Sequence, residues 1–324
     1  MYWLFWLAGY VQSRRRMVLA TLISVAVLGE LTVALTAQSQ GPALAVDVLY
    51  PDPMLAGTID MHSHSGPDSR PRAYNHLELA RLAKRAGIRA IVLKQHYTES
   101  ASTAQLIGQE VPGIEVFGAI VLNLPTGGIN PDSVRNMLAV EGNRGRVVWL
   151  PTWDAENDAN RKKENRPGVP IVKDGKLVPG LADIFKLIAD NNLVLATGHS
   201  SPDESLIVLA AARQAGVRRL VVTHPWELGT TPAQMKRLAD LGAFLECTKS
   251  DVDRNGVDEC AKIIKAVGAE HVVFGSDAGQ RGGPVLPLAM KQFMMRLQAD
   301  GISQAQIDLL VRKNPAALLG LSPS

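Results

Sequence analysis

The chain has 324 residues, 46% of them hydrophobic and 20% charged, with a formal net charge of +3. This excludes a mostly disordered protein and a small stapled scaffold, and it fits one large α/β domain or two smaller ones. Two cysteines, Cys247 and Cys260, exclude a disulfide framework and any Cys-rich zinc or iron–sulfur site.

The first 45 residues stand apart: 28 are hydrophobic, and they hold three Arg against one Glu, which leaves a body of net charge +1. A body so nearly neutral lacks the clustered cations of a nucleic-acid-binding surface, so no nucleic-acid partner is expected. Ser13-Arg14-Arg15-Arg16-Met17-Val18-Leu19 precedes an apolar stretch to about Ala37, and Ala43-Leu44-Ala45 follows a polar patch. A basic region, an apolar core and an A-x-A site, in that order, read as an export signal. The Ser-Arg-Arg-x-apolar-apolar run resembles a twin-arginine signal, which would direct a folded enzyme to the periplasm or outside the cell. Met17 to Ala37 is also long enough to span a bilayer, so the alternative is an uncleaved anchor and the only membrane contact. Glu30 inside the stretch favours cleavage.

From Gly57 onward one unit repeats, a short apolar run followed by a helical pattern. The strand candidates are Thr58–Met61, Ala90–Leu93, Val116–Leu122, Val147–Pro151, Leu193–Thr197, Arg219–Thr223, Ala243–Cys247 and Val272–Ser276. Amphipathic stretches between them include His76–Ala86, Pro131–Val140, Leu181–Asp190, Asp203–Ala215, Thr231–Leu241 and Asp258–Val267, several closed by a Gly at the expected stop. Apolar strands without strict alternation, each followed by a helix, indicate a parallel sheet buried on both faces. Eight such units over residues 46–324 match a single catalytic α/β domain, a (β/α)8 TIM barrel. A doubly wound open sheet fits less well, because no Gly-rich phosphate fingerprint follows the first strand. One connection, about 154–180, is long and charged, and it contains Asp174-Gly175 between short apolar flanks, a hairpin signal. Following the fourth strand, it would sit as a lid on the C-terminal face.

Barrel enzymes place their chemistry at the C-terminal ends of strands. The first strand ends Asp60-Met61-His62-Ser63-His64, and residues two apart on an extended chain point the same way. The fifth ends Gly198-His199, the sixth Thr223-His224 and the eighth Ser276-Asp277. Four strands thus end in imidazole or carboxylate, the ligands that suit zinc and similar ions. Five of the seven histidines, His62, His64, His96, His199 and His224, fall at or just past a strand end. His76 and His271 lie elsewhere and read as structural or surface residues.

This order, H-x-H after strand one, His after strands five and six, and Asp after strand eight, resembles the metal-dependent amidohydrolase superfamily from about Gly57 to the C-terminus. The resemblance implies His62, His64, His199, His224 and Asp277 as ligands of one or two divalent ions, zinc first among them. It implies Asp277 as the base that takes a proton from the attacking water. Binuclear members commonly supply a bridging carboxylated Lys or a Glu from strand four, but here that strand ends Pro151-Thr152-Trp153-Asp154. Lys94, after the second strand, is the candidate for the bridge. The alternative is a Lys that grips an anionic substrate group, which would leave one metal.

His96, Arg72, Asn123 and Trp226 are candidate substrate contacts, with Arg70 a second cation in the same Pro-rich loop as Arg72. Glu246 could face the pocket or the barrel interior, and Cys247 reads as a small core residue. The reading is a metal-dependent hydrolase of a small molecule, cleaving an amide, ester or lactone. A phosphoesterase or a non-hydrolytic lyase or isomerase on the same scaffold is the alternative, and an exported non-catalytic metal- or solute-binding protein is the reading from another class. Nothing in the residues fixes the oligomeric state.

Overall fold

Eight parallel strands follow one another around a sheet, in a computed structural model that describes residues 51–249 and 258–322. They are β1 (Ile59–Ser63), β2 (Ala90–Leu93), β3 (Glu115–Val121), β4 (Gly145–Trp149), β7 (Val194–Ala196), β8 (Arg219–Val222), β9 (Ala243–Thr248) and β10 (Val272–Gly275). Each pairs in parallel with the next in chain order. The sheet closes where the chain leaves β10: Asp277 N donates to His62 O at 2.8 Å, and His64 N donates to Ala278 O at 2.8 Å. The fold is the (β/α)8 barrel that the alternating pattern implied. The stretch read as an export signal lies outside the described residues. Among the described residues no helix is long and apolar enough to cross a membrane.

The helices form where capping and amphipathic spacing agree. Helix α1 (His76–Ala86) starts on a capping box between Asn75 and Glu78 and stops at Gly87, whose φ of 87° suits glycine. The others are α2 (Ala101–Glu110), α3 (Pro131–Ala139), α4 (Glu156–Lys162), α5 (Leu181–Asp190), α6 (Pro202–Gln214), α7 (Pro232–Asp240), α8 (Asp258–Val267), α9 (Leu286–Ala299), α10 (Gln304–Asp308) and α11 (Asn314–Leu319). The connection after β4 holds α4 and a two-stranded hairpin, β5 (Val172–Lys173) and β6 (Lys176–Leu177). Asp174 and Gly175 turn it with φ of 50° and 72°, the left-handed pair that a tight hairpin needs.

Inside the barrel, Ile59, Met61, Val92, Phe117, Val121, Val147, Trp149, Val194, Val221 and Val273 form one buried cluster. Ala316, Leu318 and Leu319 of α11 join it. Arg89, just before β2, donates to Ser322 O at 2.8 Å, so the segment after α11 lies by the strands' N-terminal ends. That end is plugged with apolar side chains. Buried polar residues gather at the other.

Cys247 is fully buried, as a core residue would be, but it is bonded to Cys260 at the start of α8, with Cα atoms 6.0 Å apart. The cysteine count had excluded a framework of several bridges; one bridge ties β9 to the helix after it.

Candidate metal centre and active site

His62 lies in β1 and His64 one residue past it. The register against β2 shifts between Asp60 and Ser63, an irregularity that breaks strict alternation and re-aims the side chains at the strand end. Asp60 braces this turn from below, accepting from His62 N at 3.2 Å, Ser276 N at 2.7 Å and Ser276 Oγ at 2.6 Å. Burial pushes its carboxyl up to about 7.

The two imidazoles meet through Nε2, 3.2 Å apart, and Asp277 Oδ1 lies 3.0 Å from His64 Nε2 and 3.4 Å from His62 Nε2. Their other nitrogens are committed. His64 Nδ1 is 2.7 Å from the carbonyl oxygen of Lys94, which can only accept, so Nδ1 carries the proton. His62 Nδ1 donates to Glu246 Oε1 at 3.2 Å. Burial disfavours the charged form of both rings and holds them below the usual imidazole range, against the pull of Asp277. Two Nε2 lone pairs and a carboxylate oxygen therefore converge on one point, an arrangement of acceptors that a cation resolves. Lys94 Nζ lies 3.0 Å from His62 Nε2, and Gln280 Nε2 donates to Asp277 Oδ1 at 3.1 Å.

A second group, His62, His224 and Glu246, has ligand atoms that all lie within 4.8 Å of one another. Glu246 Oε2 and His224 Nδ1 are buried without a hydrogen-bond partner among the described residues. Such orphans are costly unless an ion or ligand satisfies them. Burial lowers His224 to about 3 and raises Glu246. Gly275 makes the room: a Cβ there would sit 2.5 Å from Glu246 Oε1 and 2.7 Å from His62 Cβ. His224 and Asp277 leave their strands with φ of 47° and 48°, left-handed backbone that costs a non-glycine residue roughly 1 kcal/mol or more. Such strain at two strand ends marks positions held for their side chains.

Lys94 follows β2 and is 1% exposed, its Nζ 5.0 Å from the Trp149 ring centre. Burial lowers its ammonium to about 8, against the pull of Glu246 and Asp277. His199 follows Gly198, where a Cβ would sit 2.3 Å from Leu150 O, so only glycine lets the turn pass so close to the end of β4. The connection after β4 then takes hold of His199. Asn157 Nδ2 donates to its carbonyl at 2.9 Å, and Asp158 Oδ1 lies 3.5 Å from its Nδ1. Asp158 is fully buried and also takes Lys162 Nζ at 2.7 Å and Arg161 Nη2 at 3.2 Å. Burial raises its carboxyl, but the nearby His199 and the bond from Lys162 outweigh that and hold it well below the carboxylate range.

These groups surround a cavity of about 310 Å³, lined by His62, His64, Lys94, His96, His199, His224 and Asp277 with Trp153, Arg161, Lys162, Glu227 and Gln280. His96 stacks on His64, ring centres 4.9 Å apart, and on Trp153 at 3.7 Å. Its Nδ1 is 2.9 Å from Thr152 Oγ1, which already accepts from Asn123 Nδ2 at 2.9 Å. Through this contact and its two stacked neighbours the His96 ring is held at the edge of the cavity.

Three expected substrate contacts have other places. Asn123 is not a pocket wall. It is fully buried, and its amide ties strand ends together through His96 O at 2.9 Å and Thr152 N at 2.8 Å. Arg72 does not line the cavity either; Asp68 holds it at 2.7 Å, and it donates to Gln280, which in turn donates to Asp277 Oδ1 at 3.1 Å. Trp226 is half-buried past β8, outside the lining. The indole at the cavity is Trp153. Asp158, Arg161 and Lys162 were visible only as part of a charged run, although Asp158 and Lys162 have the i, i+4 spacing of a helical ion pair.

No curated protein matches the chain. Solved structures share its barrel. An amidohydrolase from Burkholderia multivorans with bound zinc is 15% identical, with TM-score 0.57, 82% of this chain and 100% of that one covered. The organophosphorus hydrolase from Deinococcus radiodurans is 13% identical, with TM-score 0.54 and coverage of 82% and 94%. A protein described as a 2-pyrone-4,6-dicarboxylic acid hydrolase from Pseudomonas putida is 15% identical, with TM-score 0.54 and coverage of 83% and 99%. What the chain shares with these structures is the (β/α)8 barrel fold. The chain belongs to DUF6282, a family of unknown function, whose model matches residues 57–246.

Proposed function

We propose that the protein is a metal-dependent hydrolase acting on an amide, ester or lactone bond of a small molecule. The convergence of His62 Nε2, His64 Nε2 and Asp277 Oδ1 on one point carries this reading. His62, His64 and Asp277 would hold one divalent ion, and His199 and His224 a second, with zinc the first candidate for a set of neutral imidazoles and carboxylate. A bound ion would supply a water of lowered pKa and polarise the oxygen of the bond to be cleaved.

The chain's own residues do the rest. Asp277 accepts the proton of the attacking water on the carboxylate oxygen that does not face the ligand point, and returns it to the leaving group. Glu246 and the Lys94 carbonyl fix the tautomers of His62 and His64. With its proton on Nε2, His96 would donate to the oxygen on which charge develops; Thr152 holds its ring at Nδ1 and Asn123 its backbone carbonyl. Carboxylation of Lys94 would place an anion between the two ligand groups. A native intact mass that matches the unmodified chain, with metal bound, would remove that bridge.

Metal-loaded protein should hydrolyse members of a panel of esters, lactones, amides and phosphoesters, and lose that activity on chelation. Activity that survives complete metal removal would overturn the mechanism. We also propose export, since a Cys247–Cys260 bridge suits an oxidising compartment and agrees with the signal-like N-terminus. Cell fractionation would contradict this by finding the chain only in the cytoplasm.

A further inference from the structure

Three basic residues of the connection after β4 crowd one carboxylate. Asp158 takes Arg161 Nη2 at 3.2 Å and Lys162 Nζ at 2.7 Å, with Arg166 Nη2 farther off at 3.8 Å. Arg166 has Glu164 at 2.5 Å and Asp154 at 3.7 Å as well. Arg161 and Lys162 have no second partner among the described residues, and both line the cavity that holds the histidines. Their side chains are about four-tenths exposed, so their donors reach the space that a ligand would fill. Asp158 is also shared with His199. One carboxylate oxygen, Oδ1, thus lies within 3.5 Å of both a proposed ligand and a cavity-lining guanidinium.

We propose that Arg161 and Lys162 form the subsite for a carboxylate on the substrate, a group separate from the bond that is cleaved. The proposal rests on the hydrolase reading and names its substrate class, small carboxylic acids that carry a hydrolysable bond. Two cations against one buried carboxylate leave a single positive charge on this wall. That balance matches a carboxylate better than a doubly charged phosphate monoester. The arginine fork suits a planar bidentate anion, and the lysine adds a point charge. Glu227 and Asp277 line the cavity as well, so a second anion would meet repulsion away from the ions. The subsite also explains why a buried acid sits on the connection. Asp158 contacts His199 and the two cations at once, so one short helix bears on both the substrate's acid group and a proposed metal ligand.

The test uses the full chain loaded with zinc, with metal content measured first. Glutarate and butyrate are titrated by calorimetry; both can place one carboxylate on the ion, and only glutarate offers a second. Wild type should bind glutarate roughly tenfold more tightly than butyrate, as one charge-assisted contact implies. Arg161→Gln and Lys162→Gln should each erode that preference while zinc content and butyrate affinity hold. Equal affinities in zinc-loaded wild type, or a preference kept in both variants, would overturn the proposal and leave the metal reading intact. A protein that retains no zinc would overturn the metal reading, and the proposal with it. A larger preference for 4-phosphonobutyrate than for glutarate would overturn the carboxylate assignment in favour of a phosphate-type anion.

Discussion

The two ends of the barrel are built from the same eight strands and solve opposite problems. At the N-terminal end, α11 lays Ala316, Leu318 and Leu319 against Ile59, Val147 and Val273, and the interior is apolar. At the C-terminal end the same strands bury His62, His64, Lys94, His224 and Glu246. Burial of that much polar and ionisable surface is unfavourable unless each group is paired or holds an ion. The chain therefore supports its site from outside the barrel, through Asp158 on the connection after β4. One end is a source of stability, and the other spends it on geometry.

Substitutions should separate the two ends cleanly. At the top, Asp277→Asn should lower kcat/KM of metal-loaded protein by roughly 10²–10⁴-fold, the range for a general base, with little change in Tm. A thermal shift without an activity loss would reverse the assignment of that end. At the bottom, Leu318→Ala should cost about 2–5 kcal/mol in denaturant unfolding and leave kcat/KM of the folded protein unchanged. If Leu318→Ala also changed zinc affinity, the ends would be coupled and the comparison would fail.

Asp158→Asn should weaken zinc binding by roughly 10–100-fold, as removal of a group that orients a ligand does, while the protein stays folded. Zinc affinity equal to wild type would confine the connection to the role of a cover. The smallest effect is expected at the lower surface, where Lys291 Nζ lies 2.5 Å from Asp52 and holds its carboxyl below the usual range. A depressed carboxyl stabilises the fold above its unfolded pKa and loses that contribution as pH falls through the folded one. Asp52→Asn should therefore cost less than about 1 kcal/mol at neutral pH, and the difference should vanish in acid.

The apolar runs and glycine stops made the barrel legible because parallel strands are buried on both faces and read as continuous apolar segments. The proposed ligands stood out for a different reason: a strand's end is also where its side chains leave the core, so His62, His64, His199, His224 and Asp277 were marked by position. What stayed hidden depended on contacts across the fold. Glu246 could have pointed either way until Gly275 was seen to leave room for it beside His62. Asn123 looked like a wall because it follows a strand, but its amide finds its partners in His96 and Thr152. Trp153 and Asp158 sit in a connection whose path no periodicity describes. The Cys247–Cys260 bridge was invisible because a spacing of 13 residues says nothing about whether two side chains meet.

The central claim is that the polar end is a metal centre, and metal stoichiometry tests it most directly. Purified protein exchanged into zinc and freed of excess should retain at least one zinc per chain by elemental analysis, and the His62→Ala/His64→Ala double variant, still folded by circular dichroism, should retain none above background. Retention by that variant equal to wild type, or none by wild type, would contradict the account.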